Sequence, residues 1–266
     1  MRFRVIGSGT LRPDPDRGSP GYWVECRGRG ILVDCGTGTL RNMARFGVAW
    51  QRVTHLVISH FHTDHVADIA PLLFALKHGI DRPRNDPLTI LGPPGVQDHM
   101  EALARAHGDF VLDPGFPVEI VGLTPGDPWI CPSGAFRLNS YDTIHAHPSL
   151  AFRLEADGGA LGYTGDTGPD PSLGRFMCGC HLLVAECSNP DGAETEFHLT
   201  PASLAELAGL ARPELLITVH VYPPLFPGDV PDLLRKRGYE GKVLAGRDGL
   251  TVTLGDGLLR DATYSY

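Results

Sequence analysis

Apolar residues fall in short runs separated by turn residues along nearly the whole chain. Runs rich in β-branched and aromatic residues predict strands over residues 3–6, 22–25, 31–34, 55–59, 88–91, 118–122, 136–141, 149–154, 161–164, 182–185, 215–219, 242–244 and 251–254. Helical spacing is rarer and predicts helices over 40–46, 68–77, 96–106, 171–177, 201–210 and 230–237. Thr200 before Pro201 reads as an N-cap with proline at the first helical position, and Gly108 as a helix stop. Hairpins come first and strand–helix alternation follows. This order predicts an α/β fold of four layers, an αββα sandwich of two mixed β-sheets flanked by helices. The 33 glycines and 23 prolines are scattered as turn punctuation rather than gathered into a linker, so 1–266 reads as one domain.

Charge and cysteine usage narrow the function classes. A formal charge of −8 argues against a surface that holds a nucleic-acid backbone broadly. Only Lys77, Lys236 and Lys242 are lysines. Arginine dominance suits bidentate pairing with carboxylate or phosphate, but codon usage in a high-GC genome is the weightier explanation. The amino terminus enters a strand without an apolar leader, and no apolar run is long enough to span a bilayer, so a cytoplasmic location without a membrane partner is expected. The six cysteines are not spaced like a zinc ribbon or a disulfide scaffold and are expected to be reduced. Cys26 and Cys35 flank a hairpin turned at residues 27–30, whose register places Cys26 near Ile31. Cys178-Gly179-Cys180-His181 could form a compact metal cluster, yet it lacks a second ligand pair elsewhere, which favours a structural role.

The chemistry concentrates in His60-Phe61-His62-Thr63-Asp64-His65, directly after the apolar run 53–59. His60 and His62, two apart on an extended continuation, point the same way. Asp64 and His65 follow where an apolar helical stretch begins at Val66, so the backbone turns and they address a second position. This arrangement can begin a site for two metal ions. Imidazoles at this spacing suit Zn²⁺, and the carboxylates also admit Mn²⁺ or Fe²⁺. Further ligands are expected at three later strand ends: His145 or His147 in one, Asp166 between Gly165 and Thr167, and His220. Asp166 has small neighbours that permit close approach and is the expected bridge between two cations. His145 lies three residues before Pro148 and His147 immediately before it, and geometry alone does not choose between them. His55, His78, His99, His107 and His181 have no ligand-like neighbours and are read as surface or structural residues.

Asp34 before Cys35-Gly36, the 60–65 turn, His145, Asp166 and His220 together resemble the metallo-β-lactamase superfamily over nearly the whole chain. The order His145, Pro148, Ser149, Phe152, Arg153 resembles its ribonuclease Z-like branch and favours His145 as the ligand. Ala185-Glu186-Cys187 and Phe197-His198-Leu199-Thr200 are similar to the branch's pairing of an acid with a histidine near the scissile bond. The resemblance implies one ion held by His60, His62, His145 and Asp166, and a second by Asp64, His65, Asp166 and His220. Asp34 would hold an imidazole through its free N–H. A water between the ions, its pKa lowered from about 15.7 toward 7, would attack as hydroxide. Asp64 would orient it or accept a proton, and His198, oriented by Glu186, would protonate the leaving oxygen.

Branch members that mature transfer RNA carry a basic, glycine-rich arm, whereas residues 67–143 hold one lysine, few arginines and several acids. Small phosphodiesters are therefore the expected substrates, and nucleic acid is not expected as a partner. Arg12, Arg17 and Arg153 could border the site, and residues 222–227 could wall it for an aryl or nucleoside group. Ribonuclease Z-type RNA cleavage is the alternative, and aryl sulfates, lactones and thioesters are open to the same attack. A non-catalytic metal-binding sensor is the reading from a different class; against it, every ligand position is filled. A homodimer is usual in the branch.

Overall fold

The computed structural model describes residues 1–193, 196–255 and 258–264. Strands and helices are numbered in chain order. One sheet holds β1 (Arg2–Gly7), β2 (Gly21–Cys26), β3 (Arg29–Val33), β4 (Val53–Val57), β5 (Leu88–Gly92), β6 (Val118–Gly122), β14 (Leu250–Gly255) and β15 (Leu258–Tyr264). Its spatial order is β15-β14-β1-β2-β3-β4-β5-β6. The other holds β7 (Trp129–Ile130), β8 (Arg137–Asp142), β9 (Leu150–Ala156), β10 (Gly159–Tyr163), β11 (Leu182–Glu186), β12 (Leu215–Val219) and β13 (Val243–Ala245), in the order β13-β12-β11-β10-β9-β8-β7. Both sheets mix antiparallel hairpins with parallel strands.

Alternation along the strands builds the layers. Phe3, Val5, Val24 and Ile31 point inward and meet Phe152, Leu161, Val184 and Ile217 of the second sheet in a buried cluster. The intervening Ile6, Leu32 and Leu56 face outward. They are covered by Met43 of α1 (Thr39–Arg45), Leu72 and Leu76 of α3 (Ile69–His78), and Met100 of α4 (Val96–His107). On the far side, Leu183 and Leu216 are covered by α5 (Pro171–Phe176), α6 (Pro201–Ala211) and α7 (Val230–Lys236). The expected four layers are present. No described helix is long and apolar enough to cross a membrane.

The structure changes three local expectations. The apolar stretch after residue 62 is two helices, α2 (Thr63–Val66) and α3, because Asp68 leaves the helix to donate its N–H to the Cys35 carbonyl at 2.9 Å and accept from Leu40 N at 3.0 Å. The β2–β3 hairpin turns on two residues, Arg27 (φ 44°) and Gly28 (φ 74°), so Cys26 opposes Arg29 and Ile31 opposes Val24. Two strands have no counterpart in the sequence reading: β7, only two residues long, and β15, whose sequence does not alternate.

Candidate metal centre

Every candidate ligand stands just past the carboxyl end of a strand or on the turn that follows, where open α/β sheets collect ligands. His60 follows β4, His145 follows β8, Asp166 follows β10 and His220 follows β12, while α2 carries Asp64 and His65. Asp34 and His220 leave their strands with φ near 54°, a left-handed conformation uncommon for non-glycine residues. The strain, about 1–3 kcal/mol each, is retained where it aims a side chain. Gly36 lets the two loops close: a Cβ there would lie 1.8 Å from the Asp64 carbonyl oxygen. Gly36→Ala is expected to cost about 1–3 kcal/mol of stability and to weaken metal retention through the displaced Asp64–His65 turn. Unchanged melting temperature and metal content would count against this packing argument.

Two groups of donors result. His145 Nε2 lies 3.1 Å from His62 Nδ1, and both sit with His60 in one cluster whose donor atoms are all within 4.8 Å. Asp64, His65 and His220 form another, with His220 Nε2 at 3.3 Å and His65 Nε2 at 3.8 Å from Asp64 Oδ2. Asp166 stands between them. Its Oδ2 is 4.0 Å from His60, 3.8 Å from His145 and 3.5 Å from His220, and its Oδ1 is 3.5 Å from His65. Donors around a tetrahedral zinc ion are about 3.3 Å apart, so these separations fit the donor set of a metal site. A second observation agrees: Nε2 of His60 and of His65 are buried with no hydrogen-bond partner, a cost that a cation would relieve.

Partners behind the imidazoles aim these nitrogens. The Asp34 carboxylate takes His65 Nδ1–H at 2.8 Å, and the Phe197 carbonyl takes His145 Nδ1–H at 3.1 Å. Both acceptors lack protons, so Nδ1 donates to them and Nε2 is the nitrogen left facing the donor cluster. Ser59 Oγ lies 3.1 Å from His60 Nδ1, and Ser188 Oγ 3.0 Å from His220 Nδ1. Asp34 is itself held by Ser59 N and Oγ, each at 2.8 Å, and by the Tyr163 hydroxyl at 2.7 Å. Ser59, Tyr163, Ser188 and the Phe197 carbonyl escape a reading of the sequence, because nothing in their local pattern separates them from other strand-end residues.

Electrostatics follow from this crowding. Burial and the neighbouring His65 push the His60 pKa down. Burial also opposes charge on His65, but the Asp166 and Asp34 carboxylates outweigh it and hold His65 well above its ordinary value. Burial would raise Asp166, yet His220 and His65 keep it well below the usual carboxylate range. His198, though partly buried, is raised because its Nδ1 meets Glu186 Oε1 at 3.0 Å. Glu186 is fixed by Thr167 N at 2.7 Å and Leu199 N at 3.2 Å, and Thr200 caps α6 immediately after.

The surroundings differ from expectation in two respects, at Arg153 and in the 222–227 loop, while His147 lies where the favoured reading leaves it. His147 is exposed and outside every donor cluster. Arg153 turns away to Glu155 Oε1 at 2.8 Å and the Cys178 carbonyl at 2.8 Å, leaving Cys178-Gly179-Cys180-His181 outside every donor cluster among the described residues. In the 222–227 loop, Tyr222 packs edge-on to His220, but Phe226 is 71% exposed. The wall is supplied instead by Phe197 and Ala146, which line a cavity of about 1000 Å³ with His62, His145 and His198.

Comparison with known proteins places this geometry. The sequence pattern of the family described as the beta-lactamase superfamily domain matches residues 29–221. Ribonuclease Z of Mycolicibacterium gilvum is 30% identical over 253 residues, 87% of this chain and 88% of that protein. Two solved structures share the fold at 22% identity. The metallo-β-lactamase-fold protein YhfI of Bacillus subtilis has a TM-score of 0.81, covering 94% of this chain and 98% of its own. The short form of human tRNase Z has a TM-score of 0.75, covering 95% and 99%. Relatives named as ribonucleases overturn the expectation that nucleic acid is no partner. That expectation rested on a net charge of −8, an average over the whole surface, whereas a polyanion is held by local charge. The family match takes in the 60–65 turn, Asp166 and His220, the same residues that the fold gathers, and the chain therefore belongs to the metallo-β-lactamase superfamily, in its ribonuclease Z-like branch, as a metal-dependent hydrolase.

Proposed function

We propose that the chain is a ribonuclease Z-type phosphodiesterase that cleaves RNA with two bound metal ions, zinc fitting best and manganese or iron(II) being compatible. The observation that carries this reading is the placement of Asp166 between two donor clusters, with the His198–Glu186 pair beside them. RNA as substrate is supported by the curated relatives named ribonuclease Z. His60, His62 and His145 would hold one ion, Asp64, His65 and His220 the other, and Asp166 both. When bound, the ions supply Lewis-acid polarisation of a phosphoryl group and a water acidic enough to react near neutral pH. Asp64, beside His220 Nε2, is placed to take a proton from the attacking water. His198 donates Nδ1–H to Glu186, which leaves Nε2 to carry a proton toward the departing oxygen. The Phe197 side of the cavity offers an aromatic face to a nucleobase. Six free cysteines suit a reducing, cytoplasmic setting.

The test is turnover of precursor transfer RNA beside a small aryl phosphodiester by metal-loaded protein. Higher kcat/KM for the RNA supports the reading; hydrolysis of the small diester alone would return the substrate to small phosphodiesters. The competing histidines give a further prediction. His145→Ala is expected to lose metal and activity, whereas His147→Ala keeps both, as read by elemental analysis and by the same assay. The reverse outcome would overturn the ligand assignment.

A further inference from the structure

We propose that the groove beside Asp64, walled by arginines of α1, holds the phosphate backbone of the substrate next to the bond being cut; the proposal rests on the RNA-cleaving reading above. The groove has a volume of about 460 Å³ and runs from Thr63 and Asp64 to Arg12, Arg17, Arg41 and Arg45. Arg41 and Arg45 are exposed and four residues apart on α1. Like charges at this spacing destabilise a helix, and neither guanidinium has an ion-pair partner among the described residues. Arg45 lies over the Phe46 ring at 5.3 Å. Arg12, also exposed and without an ion-pair partner among the described residues, comes from the loop before β2. Arg17 is engaged by the fold: its guanidinium donates to Ser8 Oγ, the Ser8 carbonyl and the Gly246 carbonyl.

The carboxylates of the groove are mostly engaged as well. Asp248 accepts from Ser8 N, Gly18 N and the Asn42 amide; Asp14 accepts from Asp16 N; Asp64 faces His220 and His65. Asp14 and Asp16 are both exposed. Four arginines and four aspartates line the groove, but Arg12, Arg41 and Arg45 have no ion-pair partner among the described residues and so stay available to an anion. The cavity on the other side of the centre has no arginine among its described lining residues, which are Phe197, Ala146, Ala193 and Glu196 beside His62, His145 and His198. Arginine is suited to such a groove because its planar fork pairs with phosphate in a bidentate manner.

The experiment compares wild type with the Arg41→Gln/Arg45→Gln double variant, metal-loaded, on precursor transfer RNA and on bis-p-nitrophenyl phosphate, between about 50 and 200 mM salt. A charge control, Arg29→Gln/Arg52→Gln, removes the same charge at the β2–β3 hairpin end of the sheet, away from the metal centre. For the groove variant, kcat/KM on RNA is expected to fall about ten-fold more than on the small diester at low salt. The slope of log kcat/KM against log salt should shrink by about two, roughly one for each phosphate no longer neutralised by an arginine. An equal loss on both substrates, an unchanged slope, or an equal effect of the control pair overturns the proposal. If the wild type binds RNA without cutting it, the ribonuclease reading fails while the groove is judged from the same variants by anisotropy of labelled RNA. If it binds no RNA, the groove proposal falls too.

Discussion

Asp166→Ala is expected to strip both metal ions and, with them, hydrolysis. Among the described carboxylates, only Asp166 stands within 4.0 Å of histidines from both donor clusters, which makes it the side chain placed to serve both positions. Loss of a partner behind a ligand typically weakens metal affinity about 10–100-fold; loss of a shared ligand should exceed that at both positions. The measurement is elemental analysis after dialysis, with circular dichroism to show that the chain remains folded. His145→Ala is the internal comparison, since its imidazole serves one cluster and should cost one ion first. A folded Asp166→Ala protein that keeps two ions would sink the bridging assignment. Wild type carrying one ion or none under metal-replete expression would sink the dinuclear model itself.

His198→Ala should separate chemistry from metal retention. His198 is hydrogen-bonded to Glu186 at 3.0 Å and its raised pKa keeps a proton available, as general-acid work requires. Turnover of a substrate with a poor, alkoxide-like leaving group should fall about 10²–10⁴-fold, while an ester of p-nitrophenol, which needs little protonation, should lose far less. Both ions should remain. This readout matters because the same ring also falls within 4.8 Å of donor atoms on His145 and Asp166, a position from which it could ligate. A His198→Ala protein that loses metal would make it a ligand, and an equal loss for good and poor leaving groups would remove the acid role. Glu186→Gln should reproduce part of the leaving-group effect, because the amide still fixes the ring but no longer favours its charged form.

The sequence by itself determined most of the elements and the candidate ligands, whereas the pairing of Glu186 with His198 was implied only by the family resemblance. Strands such as β4, β11 and β12 are short apolar runs bounded by polar turns, and a period of two, or a fully buried run, is a local property. The 60–65 motif is equally local, since its four candidate ligand side chains are set by a strand, a turn and the first turn of a helix. Asp166 and His220 were legible because each ends an apolar run. Contacts across the chain were not legible. Tyr163 reaches Asp34 over 129 residues, Asn42 reaches Asp248 over 206, and no pattern near either end announces the bond. His147 and His145 differ by two residues, and the tertiary structure brings only His145 into a donor cluster, against the Phe197 carbonyl. Arg153 was drawn away from the site by Glu155 and Cys178 through the strand pairing of its own sheet. Charge shows the same division: net charge is a sum over composition, but the arginine-lined groove exists only because the β1–β2 loop and α1 fold against one another beside Asp64. Composition sets the sum of the charges, and tertiary packing sets the distances between them, on which Coulomb interaction depends.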